Sequence, residues 1–259
     1  MIDLSFSLTE LEYFLLIVVR VTCFVFVAPF FGMANTPNRV KIAMGVLISV
    51  LVYNTLEPAP VEYSTVLGYA VIVIKEALTG ILIGYSAAIC VSILNFAGSI
   101  SDMEIGLSMV SIFDPIQKDT VTITGTYYQY TVLLMLIISG MYQYVLAAIC
   151  QSFSMIPVNG AIFSSERLLS SILLFLADYM VLGFKLVLPV FAAMLLMNSI
   201  LGILAKVSPQ LNMFAVGIQL KILFGLTVLF FTVSLLPMAS SMLLSQMRKA
   251  ITIFTEAML

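Results

Sequence analysis

The sequence predicts an all-α, membrane-associated protein built of long, broken helical hairpins. Two observations predict this. Of 259 residues, 62% are hydrophobic and only 9% charged, with a mean hydropathy of +1.16; a soluble domain carries about 25% charged residues. The apolar residues also gather into six stretches too long and too evenly apolar for strands. Backbone surrounded by lipid must satisfy its own hydrogen bonds, which long apolar segments do as helices. This composition excludes a soluble enzyme, a disordered chain and a disulfide-stapled secreted module. A net charge of −2 with no basic stripe argues against nucleic acid as a partner.

The stretches follow one another between clear breakers. The first covers residues 11–34 and is interrupted by Arg20; Asn35-Thr36-Pro37-Asn38 ends it. The second, 40–56, stops at Glu57-Pro58-Ala59-Pro60. The third, 66–100, contains Lys75 and Glu76 and runs into a polar segment, 101–119, with Pro115. The fourth, 121–156, ends at Pro157-Val158-Asn159-Gly160. The fifth, 168–205, holds Asp178, Lys185 and Pro189 and ends at Ser208-Pro209. The sixth, 211–244, holds Lys221 and Pro237.

Simple spans do not fit these lengths. The fifth stretch would be about 57 Å long as a straight helix, roughly twice a bilayer core of about 30 Å. Either such helices are broken, with Gly183 and Pro189 as kink points, or much of their apolar surface packs on protein. Loop charges disagree with six plain spans as well. Arg39, Lys41 and Lys206 mark cytoplasmic loops, while Glu57 and Glu62 suit the outer side. Six spans would then put Arg248 and Lys249 outside. The first twelve residues carry Asp3, Glu10 and Glu12 and no Lys or Arg, unlike a secretory leader, so the first apolar stretch is expected to be retained.

Charges inside apolar runs are costly, about 2.5–3.5 kcal/mol each on insertion scales, and should face protein or water. Their spacing agrees. Glu76, Gly80, Gly84 and Ala88 share one helix face, with the small-residue spacing that lets helices approach closely. Gly217, Lys221 and Gly225 repeat the arrangement. Asn198, Gly202 and Lys206 form a third stripe, and Asp178 and Lys185 lie roughly on one face. Such stripes suit seams with other chains, ordinary packing within one chain, or a path for a small solute. The segment 101–119 is unusual: Asp102, Glu104, Asp114 and Asp119 bracket an apolar centre, with Gly106 and Pro115 as turn points. It reads either as an interfacial segment or as a loop folded into a protein-lined cavity, where irregular backbone is tolerated.

No catalytic or metal-binding pattern is present. The chain has no histidine, no Walker A lysine motif and no Gly-x-Ser-x-Gly, and Cys23, Cys90 and Cys150 lie scattered in apolar runs as small hydrophobes. No enzyme, cofactor or metal is expected.

Several blocks together resemble the FliR family of flagellar type III export-gate proteins, whose relatives include the T subunits of injectisomes. These are RVTCFVFVAPFFGMANTPNRVK from Arg20, EALTGILIG from Glu76, MEIGLSMVSIFDP from Met103, and LPVFAAMLLMNSILGILAKVSPQLNMFAVGIQLKILFG from Leu188. One departure stands out: Ser139-Gly140-Met141 replaces the Asn-Gly-His common in the family. The resemblance implies one copy of this chain in a helical assembly with FliP-like and FliQ-like subunits, FlhB-like protein bound outside, and unfolded flagellar proteins as cargo. It implies a multi-pass location in the bacterial inner membrane, within the flagellar basal body. Residues 1–165 would form a FliP-like part and 166–259 a FliQ-like hairpin. The loop would act as a pore plug through Gly106, Leu107, Met109, Phe113, Asp114 and Pro115, with Met109 and Phe113 as the seal. Polar residues expected at subunit seams are Arg20, Arg39, Lys41, Glu76, Asp178, Lys185, Asn198, Lys206, Gln210, Asn212 and Lys221, with Gly80, Gly84, Gly202, Gly217 and Gly225 as close-packing positions. The alternative is a small-solute transporter or ion channel using Glu76, Asp178 and Lys185.

Overall fold

The computed structural model describes residues 8–33, 36–56, 61, 63–109, 112–114, 119–208 and 213–259. Its elements are α1 (Leu8–Val27), α2 (Asn38–Tyr53), α3 (Val66–Ile105), a 3₁₀ turn (Leu107–Met109), β1 (Ile112–Asp114), β2 (Asp119–Val121), α4 (Ile123–Ile138), α5 (Met141–Met155), α6 (Ser165–Val207), α7 (Met213–Thr232), a second 3₁₀ turn (Val233–Leu235) and α8 (Leu236–Glu256). The protein is an all-α membrane protein, with the one small hairpin β1–β2 among the described residues.

Among the described residues, three helical segments are long and apolar enough to cross a membrane: Val66–Ile105, Ser165–Val207 and Val216–Glu256. α4 and α5, bent by 72° at their break, pass the same length and composition test only when taken together. The sixfold pattern of apolar stretches is therefore not six spans. The second stretch yields a 16-residue helix, about 24 Å long and short for a bilayer. The fourth divides at Gly140, whose φ of +75° only glycine adopts without strain. Pro189 lies inside a continuous α6, and the sixth stretch changes to 3₁₀ geometry just before Pro237.

The chain forms two compact units. The first comprises 1–90, 140–175 and 246–259, and the second 91–139 and 176–245. In the first unit, Tyr13, Leu16, Ile17, Val21, Phe24 and Val25 make a continuous buried face of α1 at helical spacing. α2 lies against α1 closely enough that a Cβ on Gly45 would meet Thr22 Cγ2 at 2.4 Å. Tyr53 stacks edge-on against Phe14, centroids 5.6 Å apart. Outside the spans, the Tyr63 hydroxyl donates to Glu12 Oε1 at 2.7 Å, and that bond is the main cause of a raised phenol pKa. The C-terminal segment closes the unit: Ile162 N–H donates to Met258 O at 2.9 Å, and Phe175 meets Phe254 edge-on at 5.9 Å.

In the second unit, Ile105, Val190 and Met194 form a buried cluster, with Leu107, Val228 and Leu229 packed on it. α3 and α4 cross at a glycine pair, where a Cβ on Gly98 would lie 2.1 Å from Gly125 Cα. Phe96 packs over Gly183 and meets Phe184 edge-on at 6.1 Å. The helices differ in how much apolar surface they keep covered. The most apolar stretch of α3 is 56% buried, that of α6 only 33% and that of Val216–Glu256 only 22%. The later helices thus leave most of their apolar surface for lipid or other chains.

The α3–α4 crossing gives a direct test. Gly98→Ala drives a methyl into backbone and should destabilise the chain by about 1–3 kcal/mol. Gly68→Ala, whose nearest contacts are 3.6 and 3.7 Å, should leave thermal unfolding in detergent unchanged or slightly raised.

Candidate functional site

The polar segment that begins in the last turns of α3 is built around Asp102, which is 1% exposed. Its carboxylate accepts from Thr124 N–H at 3.1 Å (Oδ2) and 3.3 Å (Oδ1), and also from the Thr124 hydroxyl. Thr124 lies in the first turn of α4, so an acid from α3 meets free donors at the positive end of another helix. Thr122, the N-cap, accepts from Gly125 N–H at 3.2 Å. One carboxylate thereby closes the chain between Met103 and Ile123 into a loop.

Within that loop the backbone leaves the helix at Gly106, at φ +92°, while Gly106 N–H still donates to Asp102 O at 3.0 Å. The 3₁₀ turn follows, then β1 and β2 pair antiparallel in the register Ile112↔Val121, Phe113↔Thr120 and Asp114↔Asp119. Leu107 packs on the cluster of the second unit and anchors the loop's start. Met109 has its backbone in the 3₁₀ turn and Phe113 and Asp114 have theirs in β1, whereas Pro115 lies outside the described residues.

A second polar constellation lies in the first unit. Arg20 and Glu76 are both fully buried. Arg20 donates from Nε to Glu76 Oε2 at 2.5 Å and from Nη2 to Oε1 at 3.0 Å, a two-point pairing. Its remaining donors reach Ile156 O at 2.8 Å and Pro157 O at 3.3 Å. Glu76 Oε1 also accepts from Asn159 N–H at 2.8 Å, and the guanidinium sits 4.2 Å from the Phe153 ring centroid. Asn159 reaches this position at φ +66°, a conformation asparagine tolerates. The pair ties α1, α3 and the turn after α5 together.

This geometry gives several of the singled-out residues partners within the chain. Arg20 and Glu76 pair with each other within this chain, so each buried charge is compensated. Glu76 is likewise committed and is no free carboxylate for a transport path. Lys41 is buried, donating to Gly32 O at 3.0 Å with Phe26 5.7 Å away. Gly80 and Gly84 are close-packing positions within the chain: a Cβ would lie 2.1 Å from Arg20 O and 3.0 Å from Phe24 O, respectively. Gly225 abuts the Ile105 side chain, and Gly217 makes ordinary contact with Leu201.

The other expected seam residues stay towards the outside. Arg39, Lys185, Asn198 and Lys206 are exposed, and Asp178 and Lys221 half-buried. A Cβ on Gly202 would meet nothing within 4 Å, so the Asn198, Gly202 and Lys206 stripe has no cover at Gly202 among the described residues. Gln210 and Asn212 lie outside the described residues. Sequence reasoning missed Asn159 and the clamping role of Asp102. Pro157-Val158-Asn159-Gly160 does signal a turn, but nothing local reveals a partner on α3.

Residues 11–247 match the family model for bacterial export proteins, family 1. Among similar curated proteins is the flagellar biosynthetic protein FliR of Bacillus subtilis (strain 168), 30% identical over 212 residues, 81% of each chain. The FliR of Caulobacter vibrioides (strain ATCC 19089 / CIP 103742 / CB 15) is 26% identical over 244 residues, 93% of this chain and 94% of its own. That of Escherichia coli (strain K12) is 24% identical over 216 residues, 81% and 80%.

The Arg20–Glu76 pair predicts strong coupling. Arg20→Met or Glu76→Met alone should each destabilise the chain by about 3–5 kcal/mol, since each leaves a buried charge unpaired. The double variant should lose clearly less than the sum of the two. Chemical unfolding of the purified chain in detergent reads the cycle, and additive losses would deny the coupling.

Proposed function

The chain belongs to the bacterial export proteins, family 1, and from that premise we propose that it is a non-enzymatic subunit of the flagellar type III export gate that closes the pore assembly and supplies its plug. Membership of this family, with FliR relatives matching over most of the chain, supports a component of the flagellar export apparatus. FliP-like and FliQ-like subunits would assemble around one copy, with FlhB-like protein outside. Residues 1–165 would serve as the FliP-like part and 166–259 as the FliQ-like hairpin, in the inner membrane at the basal body. Unfolded flagellar proteins would be the cargo.

The observation that carries the plug reading is the Asp102 clamp. A plug must stay attached while its middle is displaced. Here one carboxylate holds both ends of a loop, and Gly106 frees the backbone between them from helical constraint. Met109 and Phe113 supply flexible and bulky apolar volume for a seal. The uncovered face of α6 supports the assembly reading. Its exposed Leu188, Leu195, Leu196, Ile200 and Ile203 flank the Asn198, Gly202 and Lys206 stripe, a surface suited to close helix packing.

Two outcomes test this. In the assembled complex, Met109→Ala and Phe113→Ala should raise ion conductance several-fold; unchanged conductance with intact assembly would remove the plug assignment. Gly202→Leu should leave the chain's own unfolding unaffected but lower the amount of partner subunits co-purifying with it. Undiminished stoichiometry would place the seam elsewhere.

A further inference from the structure

The first half of α3 presents a narrow outward strip. Between positions 71 and 85, only Val71, Ile74, Leu78, Ile81 and Tyr85 are exposed, and every other residue is buried or half-buried. Their separations are 3, 4, 3 and 4 residues. That alternation marks the a and d positions of a seven-residue repeat, and exposed Leu67 continues it towards the helix start. The opposite side is occupied within the chain, as at Gly80, which lies against Arg20. α2 of the same unit differs: Ile42, Ala43, Val46, Leu47, Val50 and Leu51 are exposed in adjacent pairs, a broader face. Lipid tails can cover a broad apolar face. A strip one residue wide, shouldered by half-buried neighbours, has the width of a single helix seam.

Lys75 adds a polar requirement. It occupies the e position of the repeat, between Ile74 and Leu78 and flanking the seam. It is half-buried, and its ammonium has no hydrogen-bond or ion-pair partner among the described residues. The adjacent Glu76 is committed to Arg20 and Asn159.

We propose that this strip is a coiled-coil-type docking seam for one helix of a different chain, a helix with apolar residues at the same spacing and an Asp or Glu beside them opposite Lys75. An apolar helix without that acid would cover the strip and leave Lys75 as an unpaired, desolvated cation. A second copy of this chain, packed strip to strip, would bring another lysine and no acid, because Glu76 is the sole acid of residues 66–101 and is already paired. The seam rests on the assembly reading above and adds to it the chemistry of one partner helix.

The test uses the full chain expressed with its partners in its native host, carrying photoreactive benzoylphenylalanine at one position at a time. Adducts in intact membranes should be strong from positions 74, 78, 81 and 85 and weak from position 73. Mass spectrometry of the adduct from position 78 should map to a helix of another chain with the 3-4 apolar spacing and a flanking acid. Lys75→Glu should lower that adduct about tenfold, Lys75→Arg should keep it, and exchanging the mapped acid for Lys should restore it in Lys75→Glu. The purified Lys75→Glu chain should unfold in detergent as the wild type does. Adducts with lipid alone, with a second copy of this chain, or undiminished by Lys75→Glu overturn the proposal. If Lys75→Glu does not accumulate, the wild-type adduct decides: a mapped segment with no flanking acid overturns the seam. Partners that co-purify without any adduct on α3 overturn the seam alone, whereas a wild type with neither partners nor adducts overturns the assembly reading as well.

Discussion

The buried pairing of Arg20 with Glu76 is the constraint on which the first unit depends. Two full charges removed from water cost several kcal/mol each unless every donor and acceptor is matched. The match is made by side chain and backbone together: two bonds to Glu76, two to the carbonyls of Ile156 and Pro157, and the Asn159 N–H on the carboxylate. Such a network tolerates little displacement. It sets the separation of α1 and α3, and that separation leaves no room for a side chain at Gly80 and little at Gly84. The glycines and the charges are therefore one design: close approach lets the charges meet, and the meeting keeps the helices close.

The second unit solves a related problem with one acid. Among the described residues Asp102 has no cation partner; it is held by the start of α4. A helix N-terminus offers several unpaired N–H groups and a partial positive charge, so an anion there is stabilised without a second buried charge. The consequence is mechanical. The loop is tethered at its base by a short, directional contact, and the described residues of the hairpin beyond it pair at three positions.

Both units leave the later helices short of partners. α6 and the α7–α8 segment expose rows of leucine, isoleucine and phenylalanine, and an apolar surface of that extent does not face water in a stable protein. Lipid can cover part of it. In the proposed assembly, the stripe of Asn198, Gly202 and Lys206 would meet a neighbouring helix.

The sequence by itself determined the helical class, the membrane setting, the breakers and the family, because each is written in local composition and spacing. Six apolar runs, the turn at Pro157–Gly160 and the unusual character of 101–119 are legible without coordinates. So is the fact that Glu76, Gly80 and Gly84 share a face. Only the tertiary structure decided what that face meets: Arg20 lies 56 positions from Glu76, and Asn159 lies 83 away. The same holds for Asp102, whose partner lies beyond the whole loop. A helical stripe states that a neighbour must come close, but the pattern is identical whether the neighbour is the same chain, another subunit or lipid. Pairing at long range depends on how helices are brought together in space, and periodicity along one helix carries no information about that.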